Sequence, residues 1–254
     1  MYAISRAWRF FAAALCFFSF GAGGLLLNFV LFPAVNLLAR DAEKRQMIAQ
    51  SIIKRSFRFF VGMMQVLGAM KLKVEGIELL EDDAGCIVVA NHPTLIDYVL
   101  LAALLPRCIC IVKHAMWSNP FARGAISAAG YIDNSDTSDM LARCASVLQN
   151  GHVLLIFPEG TRTTPGKDLQ LKRGAAQVAV RARSDVRIVQ ICCTPPYLNK
   201  QEKWYRVPRQ KPFFLVRVME KVSINEFLED APSDAAAARK LTEYLTRALV
   251  PKTV

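Results

Sequence analysis

Cys86-Ile87-Val88-Val89-Ala90-Asn91-His92-Pro93-Thr94-Leu95-Ile96-Asp97 is the stretch on which the fold turns. Its first five residues are an apolar, β-branched run of strand length, which reads as a buried strand. Tyr98 to Leu105 is Leu-rich and ends before Pro106, which reads as a helix. His92 therefore falls where a strand hands over to a helix, the edge at which open α/β sheets place their chemistry. Pro93 suits the first helical turn, where its missing N–H costs nothing. Asp97, about one turn into the expected helix, is within reach of the imidazole. A carboxylate on one ring nitrogen fixes the tautomer and leaves the other nitrogen free as a base. The same residues also fit a helix cap, with Asp97 accepting from the backbone.

The pattern around this stretch repeats. Strands are expected at Leu72–Val74, Cys86–Ala90, Cys108–Val112, Val153–Phe157, Arg187–Cys193 and Phe214–Val218. Helices are expected at Leu95–Leu105, Pro120–Ala129, Thr137–Gln149, Gly174–Arg183 and Asp234–Leu249. Apolar strands alternating with helices imply an α/β fold with a mostly parallel sheet covered on both faces. Asn199 to Lys211 is a polar, basic loop carrying Trp204 and Tyr205, suited to a surface hairpin or to a lid near lipid.

Upstream the texture changes. Phe10 to Leu38 is apolar almost throughout, longer than the roughly 20 residues that cross a hydrocarbon core of about 30 Å. Arg6 and Arg9 precede it and Arg40, Lys44 and Arg45 follow, so charge gives no orientation. Gly21 to Gly24, Asn28 and Pro33 permit a bend or a re-entrant path. Ala42 to Met70 mixes basic residues with Met, Ile and Phe in an amphipathic helical pattern suited to an anionic lipid surface. Residues 1–70 are thus expected to form membrane-docking helices, and residues 71–254 the α/β domain. In the 254-residue chain, a 53% hydrophobic content with a net charge of +11 favours a lipid surface over nucleic acid. The seven cysteines match neither a zinc-ligand spacing nor a disulfide framework and read as buried free thiols. His114 and His152 read as structural.

A second motif lies far along the chain. The strand Val153–Phe157 runs into Pro158-Glu159-Gly160-Thr161-Arg162-Thr163, where Pro and Gly enforce a tight loop. That loop offers a guanidinium and hydroxyls, a set suited to an oxyanion; alternatively, Glu159 and Arg162 simply pair with each other. Gly160 to Lys167 is not a phosphate-binding P-loop, because it has one residue too many between its glycines and Asp168 stands where Ser or Thr should.

The two motifs together, Asn91-His92-x4-Asp97 and Phe157-Pro158-Glu159-Gly160-Thr161-Arg162, resemble the glycerolipid acyltransferases typified by 1-acyl-sn-glycerol-3-phosphate acyltransferase. The similarity runs from about Ile87 to Thr194, and Lys113, Pro120 and Gly130-Tyr131-Ile132-Asp133 fall where the family has comparable residues. There are two departures. Asn134 stands where the family usually has an Arg that helps hold the acceptor's phosphate. Gln190 stands where a Pro is usual. Losing that Arg removes one cation from the expected phosphate site and keeps an acceptor without phosphate open.

The resemblance implies acyl transfer from an acyl thioester, acyl-CoA or acyl carrier protein, to the hydroxyl of a lyso-lipid at an anionic membrane surface. It implies no cofactor and no metal. His92 would be the base and Asp97 its orienting carboxylate. Glu159, Gly160, Thr161, Arg162 and Lys113 would bind substrate. The expected location is the inner membrane, with the site facing the cytoplasm. A hydrolase using the same pair on water is a weaker reading, since no Gly-x-Ser-x-Gly elbow is present. A non-catalytic lipid-binding protein leaves both motifs without a role.

Overall fold

The computed structural model describes residues 2–251 apart from residue 165. Three helices lead the chain: α1 (Tyr2–Leu26), α2 (Phe32–Leu38) and α3 (Ala42–Val66). The rest runs β1 (Lys71–Glu75), β2 (Ile87–Ala90), α4 (Asp97–Leu104), β3 (Cys108–Val112), α5 (Arg123–Ala128), β4 (Ile132–Asp133), α6 (Thr137–Gln149), β5 (Val153–Ile156), α7 (Gly174–Ala182), β6 (Val186–Thr194), β7 (Phe213–Val222), α8 (Asn225–Leu228) and α9 (Asp234–Ala248). The seven strands form one sheet in the order β1-β7-β6-β2-β5-β3-β4. Every pairing is parallel except β6 with β7. All six expected strands are present. β4 is the addition; with two residues it has no run long enough to read as a strand.

Alternation along the strands divides the core between the two faces of the sheet. Ile87, Val89, Ile109, Leu154 and Ile156 point into one cluster, shared with α6, α7 and α9. Val88, Ala90, Cys108 and Leu155 point into the other, shared with α1, α3 and α4. Both faces are covered, which is why these strands are apolar without interruption.

The start of α4 differs from expectation. Thr94 to Ile96 form a turn, and Asp97 is the first helical residue. Pro93 therefore lies outside the helix, in the loop that carries His92. Asp97 serves as the cap from inside the first turn, accepting from the Thr94 N–H at 2.6 Å. The C-terminal end of α4 is satisfied by Lys54 of α3, whose ammonium donates to the Leu104 carbonyl at 3.1 Å.

α1 and α2 are joined by a π-helical turn, Leu27–Leu31, containing Asn28. Pro33 follows in the first turn of α2, where its missing N–H is harmless. The region Ser5–Leu38 is long and apolar enough to cross a membrane, and 17% of its most apolar stretch is buried. A narrow stripe, Ala12, Ala13 and Cys16, packs into the core, while Phe11, Phe18 and Phe29 are exposed. At the π turn the helix approaches α5 so closely that a Cβ on Gly124 would collide with the Asn28 side chain. α3 is more embedded than its basic pattern suggests: Ile53, Phe60, Val61 and Met64 face the core, while Phe59 and Val66 remain outside. All seven cysteines are free, and five are buried.

Candidate active site

Four parallel strands end at one edge of the sheet, and the residue types singled out in the sequence follow those ends directly. His92 follows β2, Lys113 follows β3, Asn134 follows β4, and Phe157 to Arg162 follow β5. This is the carboxyl edge, where an open α/β sheet leaves a crevice between its loops.

His92 is fixed from several sides. Its Nδ1 lies 2.8 Å from the Asp97 Oδ2. Its backbone N–H donates to the Glu159 Oε1 at 2.8 Å, and its carbonyl accepts from the Thr163 N–H at 2.7 Å. Its ring stacks on Phe157 at 4.4 Å between centroids. The preceding Asn91 clamps β6 with both ends of its amide: Nδ2 donates to the Ile191 carbonyl and Oδ1 accepts from the Ile191 N–H. With Nδ1 engaged, Nε2 is the nitrogen left for a substrate proton. The His92 side chain is 20% exposed and Asp97 is fully buried.

Asp97 does what both sequence readings required. It holds the imidazole and also accepts from the backbone and hydroxyl of Thr94. Burial pushes its carboxyl above the ordinary range, and the contacts with His92 and Thr94 pull it back. Ordered donors of this kind make a buried carboxylate tolerable.

The second loop divides into two roles. Gly160, Thr161 and Arg162 line the same cleft as His92. Gly160 has φ +65°, a left-handed conformation that favours glycine. Glu159 does not line the cleft. It is buried, and its Oε1 accepts from the His92 N–H and the Thr163 hydroxyl. Burial raises its carboxyl too, and those donors oppose the shift. Glu159 is thus a strut between the two motifs, where the sequence suggested a substrate contact. Nor does it pair with Arg162 among the described ion pairs. The Arg162 guanidinium donates to the Leu198 and Asn199 carbonyls at 3.2 and 3.0 Å, fixing the start of the loop after β6.

The cleft has a volume of about 1010 Å³. Its polar end holds His92, Lys113, Asn134 and the Gly160–Arg162 loop. An apolar limb runs between α1, α3 and α5 past Phe20, Phe60 and Ile126, with Tyr98 and Tyr131 in its wall. Four cations line it, Arg55, Lys113, Arg162 and Lys200, and no carboxylate is among the described lining residues. The two departures from the family pattern have distinct settings. Asn134 accepts from the His114 N–H at 3.2 Å. Gln190 is buried and donates to the Ala248 and Val250 carbonyls, tying down the end of α9. His114 is exposed and pairs with Asp133 at 2.6 Å, holding that carboxyl below its usual range. His152 is buried just ahead of β5.

Lys200 was missed by sequence reasoning, because its loop carried no motif. A buried ion pair was missed as well. Arg187 on β6 donates to Asp83 through Nε and a terminal nitrogen, and also reaches the Leu79 and Met219 carbonyls. The two residues are 104 positions apart, which no local pattern reveals.

A cleft with a largely apolar lining, four cations and the His92–Asp97 pair suits a substrate that is part chain and part charged headgroup. A family model described as Acyltransferase matches residues 71–194. The chain is 25% identical over 223 residues to 1-acyl-sn-glycerol-3-phosphate acyltransferase alpha of Mus musculus, covering 85% of this chain and 74% of that protein. It is 35% identical over 105 residues to the 1-acyl-sn-glycerol-3-phosphate acyltransferase of Helicobacter pylori, covering 39% of this chain and 44% of the relative. A chloroplastic 1-acyl-sn-glycerol-3-phosphate acyltransferase of Arabidopsis thaliana is 30% identical over 148 residues, covering 54% of this chain and 41% of that protein. Matches thus span three-quarters of the mouse protein but less than half of the other two. The crystal structure of the 1-acyl-sn-glycerophosphate acyltransferase of Thermotoga maritima shares the fold, with a TM-score of 0.70 over 97% of this chain and 95% of that one at 21% identity. The chain thus carries, at residues 71–194, an acyltransferase-family domain that holds both motifs.

Proposed function

We propose that the protein transfers an acyl chain from a thioester, on CoA or on an acyl carrier protein, to the hydroxyl of a lyso-lipid at a membrane surface. The observation that carries this reading is the pairing of His92 with Asp97 beside a large cleft lined by four cations and by many apolar side chains.

An alcohol is a weak nucleophile at neutral pH and must lose its proton as it attacks. In the proposed step the acceptor hydroxyl gives that proton to His92 Nε2 while its oxygen bonds to the thioester carbonyl carbon. The Asp97 carboxylate stabilises the imidazolium that forms. The carbon–sulfur bond then breaks. The thiolate leaves and takes back a proton, since a thiol with a pKa of about 8.5 is a far better leaving group than an alkoxide. No covalent acyl-enzyme is needed. Lys113 and Arg162 supply positive potential for the headgroup and for the developing oxyanion. Holding donor and acceptor together supplies much of the remaining acceleration. The apolar limb takes acyl chain.

The region Ser5–Leu38 anchors the protein, with its exposed Phe residues toward lipid. The cations of the cleft favour an acceptor with an anionic headgroup, such as lysophosphatidate.

A panel of lyso-lipids with and without phosphate, each offered with acyl-CoA and with acyl carrier protein, tests the reading. The expected result is loss of one thioester donor and gain of one diacyl product from a phosphate-bearing acceptor. Release of free fatty acid with no acceptor consumed would overturn it in favour of hydrolysis.

A further inference from the structure

The loop from Leu198 to Lys211 joins two parts of the molecule that the sequence keeps far apart. At one end it is fastened to the catalytic loops. Leu198 has φ +58° and its carbonyl accepts from the Leu95 N–H. Arg162 grips the Leu198 and Asn199 carbonyls. The Asn199 side chain caps the next turn by accepting from the Gln201 and Glu202 N–H groups. At the other end the loop is fastened to α1. Arg6 donates to the Val207 carbonyl, and the buried Arg9 donates to those of Pro208 and Arg209. Between these ties Trp204 lies against Phe17 and Phe10 of α1, with ring centroids 5.6 and 6.4 Å apart.

Lys200 sits in the fastened turn. It is exposed, and it lines the same cleft as His92 and the Gly160–Arg162 loop. Arg162 reaches that cleft too, but one of its terminal nitrogens is committed to two loop carbonyls. Lys200 has no comparable tie among the described hydrogen bonds. We infer that Lys200 is a headgroup-binding residue for the acyl acceptor, taking its anionic, phosphate-type group, and that Arg162 and the α1 contacts hold Lys200 at the cleft.

Two observations favour the acceptor over the donor, and a third favours an anionic group of either. Lys200 is carried by the loop strapped to α1, a long apolar helix that exposes Phe11 and Phe18. That loop also holds five cations against one carboxylate between Asn199 and Lys211, a composition that draws anionic lipid toward the cleft. The cleft itself offers no competing carboxylate among its described residues.

This inference rests on the acyl-transfer reading, and the experiment separates the two. Lys200→Met in the full-length protein, assayed in detergent–lipid micelles with lysophosphatidate and with monoacylglycerol, is expected to raise KM for lysophosphatidate about 10-fold, the scale of one charge-assisted contact. The turnover number, the donor's KM and the KM for monoacylglycerol are expected to stay within about twofold, and Lys200→Arg restores most of the loss. Trp204→Ala, which loosens the strap away from the cleft, is expected to raise the same KM less, with turnover unchanged. An unchanged KM for lysophosphatidate in Lys200→Met overturns the assignment and leaves acyl transfer standing. A shift confined to the donor's KM also overturns it, by moving Lys200 to the thioester carrier. A wild-type protein that acylates no phosphate-bearing lyso-lipid overturns the assignment of Lys200, and one that acylates no lyso-lipid of the panel overturns acyl transfer as well.

Discussion

At the scale of single residues, the site is a buried carboxylate held in place by its donors. Asp97 is fully buried, and burial raises its carboxyl despite His92 and Thr94. A carboxyl raised in the folded state contributes stability below its unfolded pKa of about 3.9 and loses that contribution as pH rises through the folded value. Asp97→Asn can keep the Thr94 contacts while removing the charge. The variant and the wild type should therefore have similar melting temperatures near pH 4, with the variant becoming relatively more stable as pH rises. Melting curves across pH 4–8 check this, and a gap that does not change with pH would contradict it. The same substitution offers His92 the wrong hydrogen-bond partner and should lower turnover by about 10²–10⁴-fold. His92, Asp97, Gly160, Thr161 and Arg162 stand out in the sequence by residue type and spacing, and Lys113 by the family resemblance; the fold brings His92, Lys113 and the Gly160–Arg162 loop to one cleft. Glu159 was legible as important but not in its role, since only the folded chain shows its oxygen taken by the His92 N–H.

At the scale of elements, the strands were read well because burial on both faces writes an unbroken apolar run. β4 was not, since two residues carry no pattern and the pairing of Ile132 with Ile111 is a tertiary fact. The start of α4 was placed too early because Leu95 and Ile96 are as apolar as the helix they precede; the turn at Thr94 is set by Asp97 accepting from its backbone. α1 was legible as apolar but not as a packed element. Ala12, Ala13 and Cys16 bury a stripe in the core, and Arg9 ties the helix to the loop after β6. Deleting α1 would thus damage the fold as well as any anchor. Changing Phe11, Phe18 and Phe29 to Asp touches exposed positions only. That variant is expected to leave membranes in a high-salt wash that the wild type resists, because charges inside a hydrocarbon core cost several kcal/mol each. Sedimentation with salt-washed membranes reads the outcome, and equal retention of both proteins would remove α1 from the anchoring role.

At the scale of the whole molecule, one sheet edge collects loops from β2, β3, β4 and β5, and the N-terminal helices roof the cleft those loops form. The sequence states the loops but not the roof. Gly124 lies against Asn28, and Trp204 lies between Phe10 and Phe17, contacts made by residues with no shared motif. The cleft is lined by four cations and by apolar residues of α1, α3 and α5, and α1 also exposes Phe11 and Phe18. On the proposed reading, a lipid acceptor reaches His92 from the membrane through that cleft. The central claim is that His92 is the base that activates this acceptor. Turnover of folded His92→Ala, with a thioester donor and the preferred lyso-lipid, tests it most directly. The expected result is a fall of about 10²–10⁴-fold with an unchanged melting temperature; near-wild-type turnover in a folded variant would contradict it.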